Sequence, residues 1–150
     1  MGGEDFRQRL AKPGKAWVGP REATQAAMRL TFDAEARSKR WIDFEDLLHL
    51  ATTTERSKLL ADLLESETLY LADIDVDNTD DALRLVRGVD DLYTADPPPV
   101  LHFTSATMPE RWFTADDVHE GLEASIAEKF LRPTSRLHAM CNVERGGALR

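Results

Sequence analysis

The spacing of apolar and polar residues divides the chain into helical and extended segments. Residues 21–37 carry alanine and leucine at helical spacings, which predicts a helix after an extended arm over residues 1–19. Residues 68–77 alternate apolar and polar side chains, as a strand does. Asn78 or Thr79 then caps a predicted helix with apolar residues along one side.

The remaining segments are shorter, and their patterns are read from apolar runs and turn residues. The run EDLLHLA predicts a strand, the leucines that follow Thr54 predict a helix, and PPPVLHF predicts a proline-led strand. A short strand at residues 111–113, a helix from Thr114 to Pro133 and a C-terminal tail complete the prediction. No run approaches the roughly 18 apolar residues that a membrane span needs.

Three segments differ in charge, and we take them as the domain organisation. Residues 1–40, a basic arm and helix, hold nine basic and five acidic residues; residues 41–132, the predicted domain, hold seven and twenty-one. Residues 133–150, the tail, hold three and one, so the net charge is −8. An acidic body repels phosphate, so we expect no nucleic-acid partner. The basic arms are expected to reach onto partner proteins.

The order of the predicted elements resembles thioredoxin. LADIDVDNTDDALRLV resembles the second parallel strand and its helix, PPPVLHF resembles the antiparallel strand that a cis-proline begins, and FTADDVHEGLEASI resembles the last short strand and helix. The resemblance implies an α/β fold, a thioredoxin-like mixed sheet flanked by helices, here with extended N- and C-terminal arms and an extra N-terminal helix. It places the cis-proline at Pro99.

The redox motif of thioredoxins is missing. Where a Cys-x-x-Cys pair is expected, the chain reads Thr54-Glu55-Arg56-Ser57, so Thr54 and Ser57 occupy a degenerate redox position. Hydroxyl groups cannot carry out thiol–disulfide exchange, and Cys141 is the only cysteine. We therefore expect no enzyme activity, no catalytic residue, no cofactor and no metal site, in a reducing intracellular compartment.

Among redox-inactive relatives, the chain resembles the small thioredoxin-like accessory subunit of mitochondrial complex I. That resemblance implies a non-catalytic subunit of a larger assembly, held by protein subunits on the mitochondrial matrix side. The chain would have no membrane span of its own, although the assembly is membrane-bound. Trp17, Arg37, Lys39 and Arg40 are the candidate partner anchors, because an aromatic in a polar arm and a basic cluster often bind partners.

Two alternative functions stay open at this point. The first is a stand-alone thioredoxin-like adaptor or chaperone-like module that binds clients in a groove beside Pro99. The second is a degenerate EF-hand-like, calcium-responsive protein, because Asp73, Asp75 and Asp77 have the spacing that opens such a loop. Position 12 of that loop falls on Arg84, which would repel the ion. His49 and His102 are expected in adjacent strands.

Overall fold

All neighbouring strands of the central sheet run parallel to one another in the computed structural model, which describes residues 14–112 and 134–145. The strands are β1 (Gly14–Val18), β2 (Lys39–Asp43), β3 (Thr68–Ile74), β4 (Val100–Ser105) and β5 (Cys141–Arg145). Their order in the sheet is β2-β3-β4-β1-β5. The fold is therefore an α/β fold in which a five-stranded parallel sheet is flanked by helices.

Helices cover both faces of this sheet, as an all-parallel sheet requires. The helices are α1 (Arg21–Ala34), α2 (Phe44–Thr53), α3 (Arg56–Leu63) and α4 (Thr79–Thr94), with a 3-10 turn at Pro109–Arg111 and helical residues at 134–140. The helix α1 lies on one face, where Met28 packs against Trp17 and Tyr70. On the other face, helices α2, α3 and α4 pack against strand residues such as Leu71 and Phe103.

Five predicted elements are observed close to their predicted places: the helices at α1, α3 and α4 and the strands at β3 and β4. Asn78 is the N-cap of α4, and its side-chain oxygen accepts a hydrogen bond from the backbone N–H of Asp81 at 2.8 Å. The acidic side chains of Asp80 and Asp81 in the first turn interact favourably with the helix dipole.

The predicted strand EDLLHLA is wrong, because these residues belong to α2. Glu45 and Asp46 lie in its first turn, and Leu47, Leu48 and Leu50 pack against the core from one side. A short apolar run cannot by itself distinguish a strand from a half-buried helix. His49 is consequently in a helix and not in a strand beside His102.

Both ends of the described chain lie in the sheet, which corrects the predicted arms. The strand β1 lies between β4 and β5, and β5 pairs with β1 from Gly14↔Cys141 to Val18↔Arg145. The arm prediction for residues 14–19 and the tail prediction for residues 134–145 are therefore wrong. These five-residue strands are too short to show a periodic pattern, and their pairing joins distant parts of the chain.

The direction of β4 excludes the mixed sheet of thioredoxin, since β4 pairs in parallel with both β3 and β1. Pro99 precedes this parallel strand, and the cis peptide bond among the described residues joins Asp96 and Pro97. At Arg111 and Trp112, the described part of the short strand predicted at residues 111–113, the chain instead forms the end of a 3-10 turn. The helix predicted from Thr114 to Pro133 lies outside the described residues. None of the described helices is long and apolar enough to cross a membrane.

Candidate functional site

The carboxyl ends of β1, β4 and β3 lie side by side, and their connecting residues form one edge of the sheet. In open parallel α/β sheets, ligands bind outside these carboxyl ends, where the strand order reverses. The order here reverses around β1, since the chain passes from β1 to the far edge strand β2 and returns. This edge is therefore the first place to look for a functional site.

The turn from β1 into α1 is very short. Only Gly19 and Pro20 separate the end of β1 at Val18 from the start of α1 at Arg21. The N–H of Gly19 donates to the carbonyl oxygen of Ser105 at 3.0 Å, which fixes the turn against β4. Gly19 has a φ of 153°, a backbone conformation that favours glycine. Pro20 is the N-cap of α1 and has no N–H to offer a ligand.

The end of β3 is irregular at Asp73. Its φ is 61°, and the register between β3 and β4 shifts between Leu71 and Ile74. The N–H of Asp73 donates to the hydroxyl of Thr104 at 2.7 Å, which replaces a regular ladder bond. Its carboxylate oxygen Oδ2 lies 3.4 Å from Nε of Arg21. A non-glycine residue with positive φ at this edge is the kind of local strain that often marks functional positions.

Ser105, at the end of β4, holds the edge together through its buried hydroxyl. The hydroxyl donates to the carbonyl oxygen of Ile74 at 3.0 Å and accepts from the indole Nε1–H of Trp112 at 3.1 Å. It also accepts from the N–H of Thr107 at 3.2 Å. These bonds connect β3, β4 and the 3-10 turn, so the edge is built around one serine side chain.

The acidic residues after β3 do not form a calcium loop. Four residues, Asp75 to Asn78, separate β3 from α4, whereas an EF-hand loop needs twelve. Arg84 forms an ion pair with Asp81 at 3.4 Å inside α4. Partial burial, and then the nearby carboxylates of Asp77 and Asp73, raise the pKa of Asp75 above its ordinary value. Within residues 14–112 and 134–145, no group of three or more possible ligands could hold a metal ion.

A second cluster lies under α1, where four rings stack in a row across four strands. Trp17 stacks on His102 with 5.8 Å between centroids, His102 on Tyr70 at 4.5 Å, and Tyr70 on Trp41 at 6.3 Å. Nδ1 of His102 accepts a hydrogen bond from the N–H of Lys15 at 3.0 Å. Burial, with a smaller contribution from Lys15, lowers the pKa of His102 to about 4.

Not all of the predicted partner anchors lie on the surface with free side chains. Trp17 is 2% exposed in the core, so its prediction as a free anchor is wrong. The Arg37 side chain is exposed. The Lys39 ammonium group donates to the carbonyl oxygen of Phe32, and Nη1 of Arg40 donates to Oδ2 of Asp62 at 2.6 Å.

Thr54 and Ser57 lie apart from both clusters. Thr54 is the C-cap of α2, and Ser57 lies in the first turn of α3. The Ser57 hydroxyl donates to Oε1 of Glu55 at 3.0 Å on the surface. The predicted redox position is therefore a helix–helix connection rather than the end of a strand.

Comparison with known proteins identifies the fold. The sequence matches no protein-family model and no curated protein. A solved structure of DnaI is 14% identical, with a TM-score of 0.61, and the match covers 93% of this chain and 76% of that one. A DnaC helicase loader is 13% identical, with a TM-score of 0.55, covering 94% and 85%. AMPPCP-bound DnaA from Aquifex aeolicus is 11% identical, with a TM-score of 0.53, covering 95% and 44%.

These structures have an AAA+ P-loop ATPase-like fold, so the thioredoxin and complex I resemblance is wrong. The function predicted from it, a respiratory-chain accessory subunit with adaptor and calcium-responsive alternatives, is contradicted by the same finding. The mitochondrial location is also wrong. The thioredoxin resemblance is misleading because strand direction is not encoded in local periodicity.

The sequence pattern does not predict Arg21, Thr104 or Ser105 as site residues. The available signal is Gly19-Pro20, directly after an apolar stretch and directly before a helix. That signal has no significance in an extended arm, which is what the pattern of residues 1–19 predicts. Asp73 was noticed, but for its spacing to Asp75 and Asp77 rather than for its place at the end of a strand.

Proposed function

We propose that this chain is a replication factor of the helicase-loader type that works without binding or hydrolysing a nucleotide. Its fold neighbours include a DnaC helicase loader, DnaI and DnaA. The fold neighbours support the replication role in this proposal. The absence of nucleotide binding is inferred from the residues at the edge of the sheet that β1, β3 and β4 form.

The observation that carries the proposal is the two-residue turn between β1 and α1. A P-loop of the form GxxxxGK[ST] wraps its backbone N–H groups around the phosphates, and its lysine reaches the β- and γ-phosphates. Gly19 and Pro20 are too few to wrap a phosphate group, and Pro20 contributes no N–H. The first residues of α1, Arg21-Glu22-Ala23-Thr24, contain no lysine.

The charges around this turn support the same proposal. Glu22 lies in the first turn of α1, where its carboxylate would repel a phosphate that approaches the helix N-terminus. The Arg21 guanidinium already pairs with Asp73. A carboxylate at the end of β3 would hold Mg²⁺ in a nucleotide-binding relative, and here it is engaged by a cation of the chain itself.

Partner binding then takes the place of nucleotide chemistry in this proposal. A helicase-loading role predicts that the chain associates directly with the replicative helicase of its own organism. Because the chain offers no phosphate loop, this association should be independent of nucleotide. The same role places the chain in the compartment that holds the replicating DNA.

The test is a titration of the purified chain into the replicative helicase, followed by calorimetry with and without AMPPCP. We expect the same affinity in both conditions, and the same affinity for Asp73→Ala. A complex that needs the nucleotide would contradict nucleotide independence. The absence of any complex, with correctly assembled helicase, would contradict the loader role.

A further inference from the structure

Basic and aromatic side chains gather beside the edge strand β2, on the face that α1 covers. We call this group the Arg29–Trp41 cluster; its members are Arg29, Phe32, Lys39 and Trp41. Arg29 and Phe32 lie on α1, and Lys39 and Trp41 lie on β2. Phe32 and Trp41 are only partly buried, and Arg29 is exposed, so the cluster is accessible from solvent.

Each cation of the cluster lies over an aromatic ring. Cζ of Arg29 is 3.9 Å from the ring centroid of Trp41 and 5.3 Å from that of Phe32. Nζ of Lys39 is 4.3 Å from the centroid of Phe32. Phe32 stands edge-on to Trp41, with an interplanar angle of 86°. These contacts hold both cationic groups in place without neutralising them.

The two cations are not used in ion pairs of the described chain. Other arginines are paired, as Arg40 is with Asp62 at 2.6 Å and Arg56 with Asp91 at 2.6 Å. Within residues 14–112 and 134–145, neither Arg29 nor Lys39 forms an ion pair with a carboxylate. Two positive groups fixed beside accessible rings make a site for an anion that also carries planar apolar groups.

We infer that the Arg29–Trp41 cluster binds single-stranded nucleic acid. The phosphate backbone would contact Lys39 and Arg29, and a base would stack on the exposed guanidinium plane of Arg29, which lies over the Trp41 ring. An acidic peptide would use the cations but not the rings, so the aromatic half of the cluster favours nucleic acid. The expectation that this chain has no nucleic-acid partner rests on the acidic residues 41–132, whereas Arg29, Phe32 and Lys39 belong to the basic residues 1–40.

The cluster lies in the basic part of the chain, since residues 1–40 hold nine basic and five acidic residues. It is also independent of the Arg21–Asp73 edge and of any nucleotide chemistry there. The inference therefore does not depend on the proposed helicase-loading role, and the two can be tested separately.

The test is the fluorescence anisotropy of a short labelled oligo-thymidine, titrated with the full chain at low and at moderate salt. We expect saturable binding, and about tenfold weaker binding for Arg29→Gln, with the salt slope reduced by about 1. Trp41→Leu should weaken binding by about tenfold, because it removes the ring that holds the Arg29 guanidinium in place, and Trp41→Phe should keep most of the affinity. Arg56→Gln, which removes the same charge on the opposite face, is the matched control and should change the affinity by less than about twofold.

Binding measurements on the wild-type chain alone also distinguish a nucleic-acid ligand from an acidic protein ligand. An abasic oligomer of the same length, and a polyglutamate peptide, should both bind several-fold more weakly than oligo-thymidine. Equal binding of all three would overturn the inference in favour of an acidic protein partner. The absence of binding at low salt, or equal losses for Arg29→Gln and Arg56→Gln, would overturn it as well.

Discussion

The guanidinium of Arg21 and the carboxylate of Asp73 join the first turn of α1 to the end of β3, with 3.4 Å between Nε and Oδ2. Both side chains are solvent-accessible, so the pair contributes little to the free energy of unfolding. Its significance lies in its position at the carboxyl edge of the parallel sheet, which is where ligands bind in open α/β folds. Here the carboxylate at the end of β3 is already paired with an arginine of the same chain.

A substitution at Gly14 tests how closely the backbone of β1 approaches that of β4. A Cβ atom added at Gly14 would lie 1.6 Å from the carbonyl oxygen of Leu101, a backbone atom that cannot move away without breaking the sheet. Gly14→Ala should therefore lower the free energy of unfolding by about 3 kcal/mol. Gly88→Ala is the matched control: nothing lies within 4 Å of its added Cβ in α4, so it should stabilise by roughly 0.5–1 kcal/mol. Urea unfolding of both variants measures this, and a neutral Gly14→Ala would contradict the position of β1.

His102 should make the stability depend on pH. Its pKa in the folded chain is about 4, below the ordinary value of 6.5, so the unfolded chain binds more protons between these two values. The stabilisation is complete above about pH 6.5 and is lost as the pH falls towards 4, by up to about 3 kcal/mol. The measurement is urea unfolding of the wild type and of His102→Gln across this range. The free energies of unfolding of the two proteins should converge as the pH falls. A constant difference between them would contradict a buried, neutral His102.

Cys141 should be unreactive in the native chain. It is buried in β5, its thiol donates to the carbonyl oxygen of Leu101 at 3.0 Å, and burial raises its pKa well above the ordinary range. Only the thiolate reacts quickly with thiol reagents, so labelling should require unfolding. Reaction with a chromogenic disulfide, followed with and without urea, checks this. Rapid labelling without urea would mean that β5 is not held in the sheet.

Ser105 should be the most sensitive hydroxyl of the candidate site. Ser105→Ala removes the bonds to Ile74, Thr107 and Trp112 in a buried place, at a cost of about 1–3 kcal/mol. Ser57→Ala removes one exposed bond to Glu55 and should stay within about 0.5 kcal/mol of the wild type. Thermal or urea unfolding of the pair gives the comparison. Equal effects of the two substitutions would show that the Ser105 network does not hold this edge together.

The parts of the fold that the sequence could predict are those with local patterns. The helices α1 and α4 have long apolar stripes, and β3 alternates over enough residues to be recognised. In contrast, β1 and β5 are five residues long and are recognisable as strands only from their pairing. The strand β1 pairs with both β4 and β5. Strand direction is equally non-local, and for this reason the Pro-led strand β4 was assigned to the wrong kind of sheet.

The candidate site depended on the same missing information. Asp73 and the turn at Gly19-Pro20 were visible as a polar strand end and a chain reversal, but nothing local places them beside each other. Because β1 lies between β4 and β5, the two-residue turn that follows it is at the carboxyl edge of the sheet, beside the end of β4. Trp17 shows the reverse case: an aromatic in a polar segment predicts a partner anchor, whereas the strand that contains it is buried in the sheet.

The most direct test of this account is a calorimetric titration of the purified chain with magnesium and AMPPCP, with Asp73→Ala measured in parallel. The account predicts no saturable heat up to millimolar nucleotide for either protein, because the β1–α1 turn cannot wrap a phosphate group. Saturable binding by the wild type that Asp73→Ala abolishes would contradict it, since that result would require a working nucleotide site at the carboxyl edge of β1 and β3.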